Sequence, residues 1–311
     1  MPSFTRITNT PILDLTACPW GKTIMFPTVV DMSACLEDPI DRFYLYFAPH
    51  HNGGGIGLAT APHPQGPWRT YQKNPIFSLN DAPGFTHHMS SPELIFIPEK
   101  NISYMYFHGH AEGIKGQYTG LARSEDGLQF KMYGQGPILS SDSSASGRPG
   151  SAAYLRVFRR DGMFYGAYMS RGHRLARSAD GIKWEHWPQN PLIALSEADS
   201  EYDRIRHASI LLFGDILAYF YSTYSEPAPD REVIKLATLP IKGDWEEWGP
   251  LRRWGEVLAA ELAWEENNLR DPFLLRYEDK LYMYYVGGKE KGIALAVTDY
   301  EKFSLFIREM G

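Results

Sequence analysis

Five aromatic strand pairs, each closed by a Leu-Ala step, recur along the chain. They predict an all-β fold, a five-bladed β-propeller of four-stranded antiparallel blades. The steps are Leu58-Ala59, Leu121-Ala122, Leu175-Ala176, Leu236-Ala237 and Leu295-Ala296, spaced by 63, 54, 61 and 59 residues. Convincing helical periodicity is absent, apart from a turn or two near 256–267.

Within each repeat the elements follow one order. An apolar run opens the unit: Thr28-Val29-Val30, Glu93-Leu94-Ile95-Phe96, Ala153-Tyr154-Leu155, Ser209-Ile210-Leu211-Leu212 and Pro272-Phe273-Leu274-Leu275. An aromatic run follows, as in Phe43-Tyr44-Leu45-Tyr46-Phe47 or Leu281-Tyr282-Met283-Tyr284-Tyr285. The Leu-Ala strand comes third. A polar turn then leads to a short outer run. Two of these turns are nearly identical, Ala122-Arg123-Ser124-Glu125-Asp126-Gly127 and Ala176-Arg177-Ser178-Ala179-Asp180-Gly181, and Asp-Gly supports a tight reversal. The blades are expected at about 24–77, 88–139, 150–193, 206–251 and 269–311, in a single domain.

Three units are followed by a Pro-hydrophobic step, Asn74-Pro75-Ile76, Gly136-Pro137-Ile138 and Asn190-Pro191-Leu192. The fifth lacks one, but the N-terminus carries it as Thr10-Pro11-Ile12-Leu13, so residues 4–13 are expected to join the last blade and seal the ring. Segments 4–7 and 303–307 both read as outer strands for that blade.

Composition narrows the function. The 311 residues are 43% hydrophobic, which excludes disorder as the dominant state. A net charge of −6 argues against nucleic acid as a partner. No apolar stretch approaches a membrane span, and the N-terminus lacks a basic segment followed by an apolar run. A cytoplasmic protein is the expectation, with Cys18 and Cys35 as free thiols; export would permit a disulfide between them.

In a propeller blade, the start of the first strand and the end of the second share a rim. Eight of the ten histidines fall there, and only His63 and His186 do not. The rim set is His50, His51, His87, His88, His108, His110, His173 and His207, joined by Arg148, Arg171, Arg206, Arg270, Lys289, Tyr224 and Glu226. Ionisable groups gathered at the mouth of an apolar scaffold point to a site for a small ligand. Asp271, in Arg270-Asp271-Pro272, stands at the first inward step of an axial strand, and Glu93 and His207 hold matching steps in blades two and four. Each also has a structural reading. Asp271 would cap a turn before proline, Glu93 would pair with an arginine, and His207 would be a satisfied core imidazole. Asp203 is a weaker candidate in a loop. His108 and His110, two apart with His87-His88 nearby, make a divalent metal a candidate, although no cofactor is required. The arginines favour an anionic group on the ligand, unless they pair with Glu93, Asp271 or Glu226. The Gly53-Gly54-Gly55 run reads as a hairpin turn, because no helix follows to complete a phosphate loop.

These features resemble the five-bladed propeller glycoside hydrolases, the group that includes families 43, 32, 68, 117 and 130. The likeness rests on Arg270-Asp271-Pro272-Phe273-Leu274-Leu275, the Asp279–Tyr285 run, the Asp-Gly turns, Ser91-Pro92-Glu93-Leu94 and Gly66-Pro67-Trp68. The resemblance implies cleavage of a glycosidic bond in a small, anionic or neutral, carbohydrate. It implies Asp271 as base, nucleophile or charge stabiliser, Glu93 as second carboxylate, and His207 as general acid or substrate contact. It also leaves two alternatives, a phosphorylase that uses phosphate in place of water and a non-catalytic sugar-binding propeller. Blade one has Met25-Phe26-Pro27-Thr28 where many members of the group have an aspartate, and blade four has Arg206-His207-Ala208 in place of an acidic motif.

Overall fold

The computed structural model describes residues 1–50, 53–140, 151–170, 172–194, 203–225 and 231–310, and only the backbone of 203, 204, 224, 225 and 310. The N-terminal strands are β1 (Thr5–Arg6) and β2 (Leu13–Asp14). The first sheet holds β3 (Met25–Asp31), β4 (Phe43–Ala48), β5 (Gly57–Ala61) and β6 (Arg69–Thr70). The second holds β7 (Phe85–Ile97), β8 (Ile102–Ala111), β9 (Gln117–Ser124) and β10 (Lys131–Met132). The third runs through β11 (Ala153–Arg160), β12 (Met163–Met169), β13 (Gly172–Ser178) and β14 (Glu185–His186), with β15 (Ile193–Ala194) also on β13. The fourth holds β16 (Asp203–Phe213), β17 (Ile216–Ser225), β18 (Glu232–Pro240) and β19 (Arg252–Leu258). The fifth holds β20 (Arg270–Tyr277), β21 (Lys280–Gly287) and β22 (Gly292–Asp299).

All five sheets are antiparallel meanders. Their first strands touch in a ring, β3 on β7, β7 on β11, β11 on β16, β16 on β20 and β20 back on β3. The chain is therefore a five-bladed β-propeller. The N-terminus supplies what the fifth blade lacks, since β1 pairs with β22 as the outer strand and Leu13 of β2 pairs with Ile293. The fourth sheet extends to Leu258.

Segment 303–307 is not an outer strand. It lies in helix α1 (Tyr300–Met310), a correction with a clear physical cause. Tyr300, Phe303 and Ile307 are buried at helical spacing, while Glu301, Lys302 and Leu305 are exposed. The Asp299 carboxylate accepts from Lys302 N at 3.0 Å and caps the first turn. Phe303 stacks on Phe220 at 5.8 Å, so the helix seals the outside of blades four and five. The turn expected near 256–267 is a short 3-10 helix, Ala263–Glu265, after a strand.

The aromatics of the second strands lie between blades, and three of them clasp the next turn. Tyr46 donates to the Gly127 carbonyl at 2.9 Å, Tyr106 to Gly181 at 2.9 Å and Tyr284 to Pro64 at 2.7 Å. Gly127 and Gly181 have φ of 69° and 76°, and a Cβ there would approach the tyrosine oxygen to 2.9 and 2.7 Å. The Asp-Gly turns of the sequence therefore also serve as docking points for the preceding blade. Cys18 and Cys35 are both free thiols. No described helix is long and apolar enough to cross a membrane.

Candidate active site

Every first strand carries the same irregularity near its start. The register shifts between Met25 and Thr28, Ser90 and Glu93, Ala153 and Arg156, Ile205 and Ala208, and Arg270 and Phe273. Such a bulge turns one side chain out of the sheet alternation and re-aims it. In four blades the re-aimed residue has left-handed backbone: Phe26 (φ 58°), Ser91 (56°), Tyr154 (58°) and Asp271 (51°). Non-glycine residues avoid this region, and the surrounding structure must hold them there.

The bulges of blades four and five bring His207 and Asp271 together. The imidazole Nδ1 hydrogen-bonds the Asp271 carboxylate in a close, fully buried pair. Asp271 has no exposed surface and His207 has 3%, so both members of the pair are buried. The other oxygen of Asp271, Oδ2, has no hydrogen-bond partner among the described residues. Phe26 packs edge-on to His207 at 4.8 Å between ring centres, and Tyr154 lies 4.2 Å away, which fixes the ring plane. Burial alone would raise the Asp271 pKa, but His207 and Arg270 outweigh it and hold the carboxyl below its ordinary range. Burial pushes His207 down, against the pull of Asp271. The resting pair is therefore a carboxylate facing the N–H of a neutral imidazole.

A second imidazole group adjoins it. His108 lies 4.1 Å from Tyr154, and its Nε2 is 3.0 Å from His88 Nε2, so one ring donates and the other accepts. His50 packs against His88 at 5.6 Å, and His110 lies 6.1 Å from it. His108 is buried and driven well below the ordinary imidazole pKa, first by burial and then by the neighbouring histidines. Among the described residues no group of three or more His, Cys, Asp or Glu side chains is arranged to hold a metal.

The rim cations meet carboxylates. Arg270 pairs with both Glu232 and Glu290. Glu232 also accepts from Asn268 at 2.6 Å and lies 3.7 Å from Arg206, and His50 lies 3.9 Å from Glu290. Burial raises Glu232 despite Arg270, whereas the hydrogen bond from His50 and the charge of Arg270 hold Glu290 low against burial. Lys289 sits 3.6 Å from Glu266 on the outside.

Two residues beyond each bulge lies a deeper layer. There Glu93 accepts from Arg156 at 2.7 Å, from Val157 N at 3.1 Å and from Thr28 at 3.4 Å. Arg156 also reaches the Ala208 carbonyl at 3.1 Å, tying blades one to four together below the mouth. Glu93 is thus part of a buried brace.

The structure gathers Asp271, His207, His50, His88, His108, His110, Arg206 and Arg270 at one end of the axis. His87 is exposed, with φ 61°. His173 sits between the third and fourth sheets, 2.6 Å from the Tyr219 hydroxyl, where burial lowers its pKa to about 3. His51, Arg148, Arg171, Glu226 and the side chains of Asp203 and Tyr224 lie outside the described residues. Sequence reasoning missed Phe26, Tyr154, Arg156, Glu232 and Asn268 as parts of the site. A signal existed for the first two: aligning Met25-Phe26-Pro27 with Ser90-Ser91-Pro92 and Arg270-Asp271-Pro272 puts Phe26 at the step of Asp271. Glu232 and Asn268 belong to other parts of the repeat and meet through a bridge that only the fold creates.

No family model matches the chain. An uncharacterized protein of Acanthamoeba polyphaga mimivirus is 24% identical, over 87% of this chain and 82% of the viral one. Among solved structures, a glycosyl hydrolase from Bacteroides ovatus superposes with a TM-score of 0.70 at 12% identity, covering 96% of this chain and 94% of its own. The β-1,2-mannobiose phosphorylase from Listeria innocua, in complex with β-1,2-mannobiose, superposes with a TM-score of 0.69 at 12% identity, covering 98% and 99%. At these identities the likeness is one of fold: this chain shares its five-bladed propeller with proteins that hydrolyse or phosphorolyse glycosides.

Proposed function

We propose that this protein cleaves the glycosidic bond of a small carbohydrate at the mouth of the propeller, with His207 as the proton carrier and Asp271 as the group that orients and charges it. The observation that carries this reading is the buried Asp271–His207 pair, held by two bulges and two aromatic rings. The fold likeness to glycosyl hydrolases and a mannobiose phosphorylase supports the substrate class.

Glycoside cleavage needs proton traffic at two oxygens, the attacking one and the leaving one. With Nδ1–H directed at Asp271, Nε2 is the nitrogen available to a substrate. A neutral imidazole takes a proton from the attacking water as the water oxygen bonds to the sugar carbon and the bond to the leaving oxygen breaks, and the leaving oxygen takes its proton from solvent at the mouth. Asp271 then stabilises the imidazolium that forms, as a buried carboxylate does for a catalytic histidine. Water is favoured over phosphate as the acceptor because the described rim arginines are already matched by Glu232 and Glu290. The same matching favours a neutral sugar.

A screen of aryl glycosides, with and without inorganic phosphate, tests this. Turnover is expected without phosphate. Asp271→Asn is expected to lower kcat by about 10²–10⁴-fold and to leave sugar binding within about tenfold. Unchanged turnover in that variant removes the pair from the mechanism, and strict phosphate dependence reassigns the reaction to phosphorolysis. Sugar binding with no turnover on any glycoside would leave a carbohydrate-binding propeller.

A further inference from the structure

The fivefold repeat offers an internal control for its own outer edges. At the last pairing of the third strand with the fourth, the partners are Thr60 with Arg69, Arg123 with Lys131, Arg177 with Glu185, Thr238 with Arg252 and Val297 with Thr5. Blade three uses the position for a salt bridge, since Arg177 meets Glu185 at 2.8 Å and Glu246 at 3.2 Å. Blade two has the same Ala-Arg-Ser-x-Asp-Gly turn but places a lysine opposite the arginine. Like charges directly opposite on neighbouring strands destabilise a sheet.

No ion pair of Arg123 offsets this among the described residues. No carboxylate lies within ion-pair distance of Arg123, and its buried Nε has no hydrogen-bond partner. The guanidinium lies over two rings, 3.9 Å from the centre of Tyr133 and 4.9 Å from that of Tyr104. Asp126, next in the turn, is spent on its own loop, accepting from Ser124, Leu128 N and Gln129 N at 2.8 Å each. Glu125 is exposed at the edge. Arg123 and Lys131 line a cleft of about 500 Å³ together with Ser124, Tyr133 and two carboxylates, the loop-bound Asp126 and the exposed Glu125. It opens at the end of the second sheet opposite to His108 and His110, because β8 and β9 run the full height of the blade.

We infer that this cleft is a second ligand site, which binds an oxyanion group (phosphate, sulfate or carboxylate) between Arg123 and Lys131. A bound anion replaces the Glu185 of the neighbouring blade as the counter-charge. Contact with two rings restricts the guanidinium, whose planar fork suits two parallel hydrogen bonds to such a group. The site is independent of the reaction proposed above.

The test is isothermal titration at low ionic strength with inorganic phosphate, sulfate and glucuronate as separate probes and chloride as control. Saturable binding of at least one oxyanion is expected, and comparison of the three tells a free inorganic ion from the carboxylate of an acidic sugar. Arg123→Gln and Lys131→Glu are each expected to weaken it at least tenfold, while Arg177→Gln leaves it unchanged. Lys131→Glu rebuilds the blade-three pair and is expected to raise the Tm in the absence of anion. The inference fails if the wild-type chain binds none of the three, as it would if Glu125 folded over Arg123. It also fails if both cleft variants keep wild-type affinity, which would put the anion elsewhere.

Discussion

Two buried carboxylates stand at the same end of neighbouring layers, and their surroundings differ. Glu93, in the deeper layer, has both oxygens engaged, by Arg156, Val157 N and Thr28. Asp271, in the bulge layer above, has one oxygen on His207 and the other without a hydrogen-bond partner among the described residues. Burial dominates at Glu93 and raises its pKa, whereas at Asp271 burial is outweighed by His207 and the neighbouring arginines, which lower it. A carboxylate whose every lone pair is spent on fixed partners holds blades together. One that is buried and incompletely satisfied, next to a titratable ring, is the one to which we assign the proposed chemistry. The expectation that Glu93 holds the step matching Asp271 is corrected by the bulges, which put Ser91 at that step and Glu93 two residues deeper.

The sharpest way to break that comparison is the pair of charge-removing variants. Asp271→Asn should remove most turnover, as set out above, with the fold intact by circular dichroism. Glu93→Gln should do the reverse. It leaves the Arg156 charge buried without its carboxylate, at a cost of about 3–5 kcal/mol measured by urea unfolding. If Glu93→Gln folded with unchanged stability but lost turnover, the roles assigned to the two layers would have to be exchanged.

A smaller effect should appear in the pH dependence. His108, His173 and His207 all have lowered pKa values, with burial as the largest cause in each. Unfolding frees these rings to bind protons near pH 6.5, so the unfolded state gains protons that the folded state refuses. The stability they supply is complete above about pH 6.5 and is lost as the pH falls, by at most about 1.4 kcal/mol per pH unit for each ring. For His173 the loss continues until about pH 3. Asp271, whose folded pKa is also lowered, supplies stability above its unfolded value near 4 and loses it as the pH falls further. Thermal unfolding between pH 7.5 and 5 should show the imidazole slope, and a flat profile would mean that these rings are solvated. The smallest effect is expected at Arg177→Gln, which removes a partly exposed ion pair and should cost no more than about 1 kcal/mol in the same assay.

The architecture was legible because a propeller is written in repeats. Leu-Ala steps, tyrosine-rich second strands and Asp-Gly turns recur at blade spacing, and each repeat is a local pattern that one stretch of chain can encode. The Pro-hydrophobic step missing after the fifth unit and present near the N-terminus likewise located Leu13 beside Ile293. The α1 helix was missed because Phe303 and Ile307 fit an outer strand as well as a helical face over so short a run. The choice fell to β1, which had already taken the edge of β22.

By itself, the sequence determined the number of blades, their strand order and the end of the axis at which His207 and Asp271 stand, because these follow from periodicity and from the direction of each strand. Only the tertiary structure decided which carboxylate is braced by Arg156 and which faces an imidazole. It likewise decided that Glu232 and Glu290 neutralise Arg270, and that His173 belongs to the packing between blades. The physical reason is that partners such as Glu93 and Val157, or His207 and Asp271, are 64 residues apart and meet only when separate blades close the ring. Burial and charge compensation, which set their protonation, exist only after that closure.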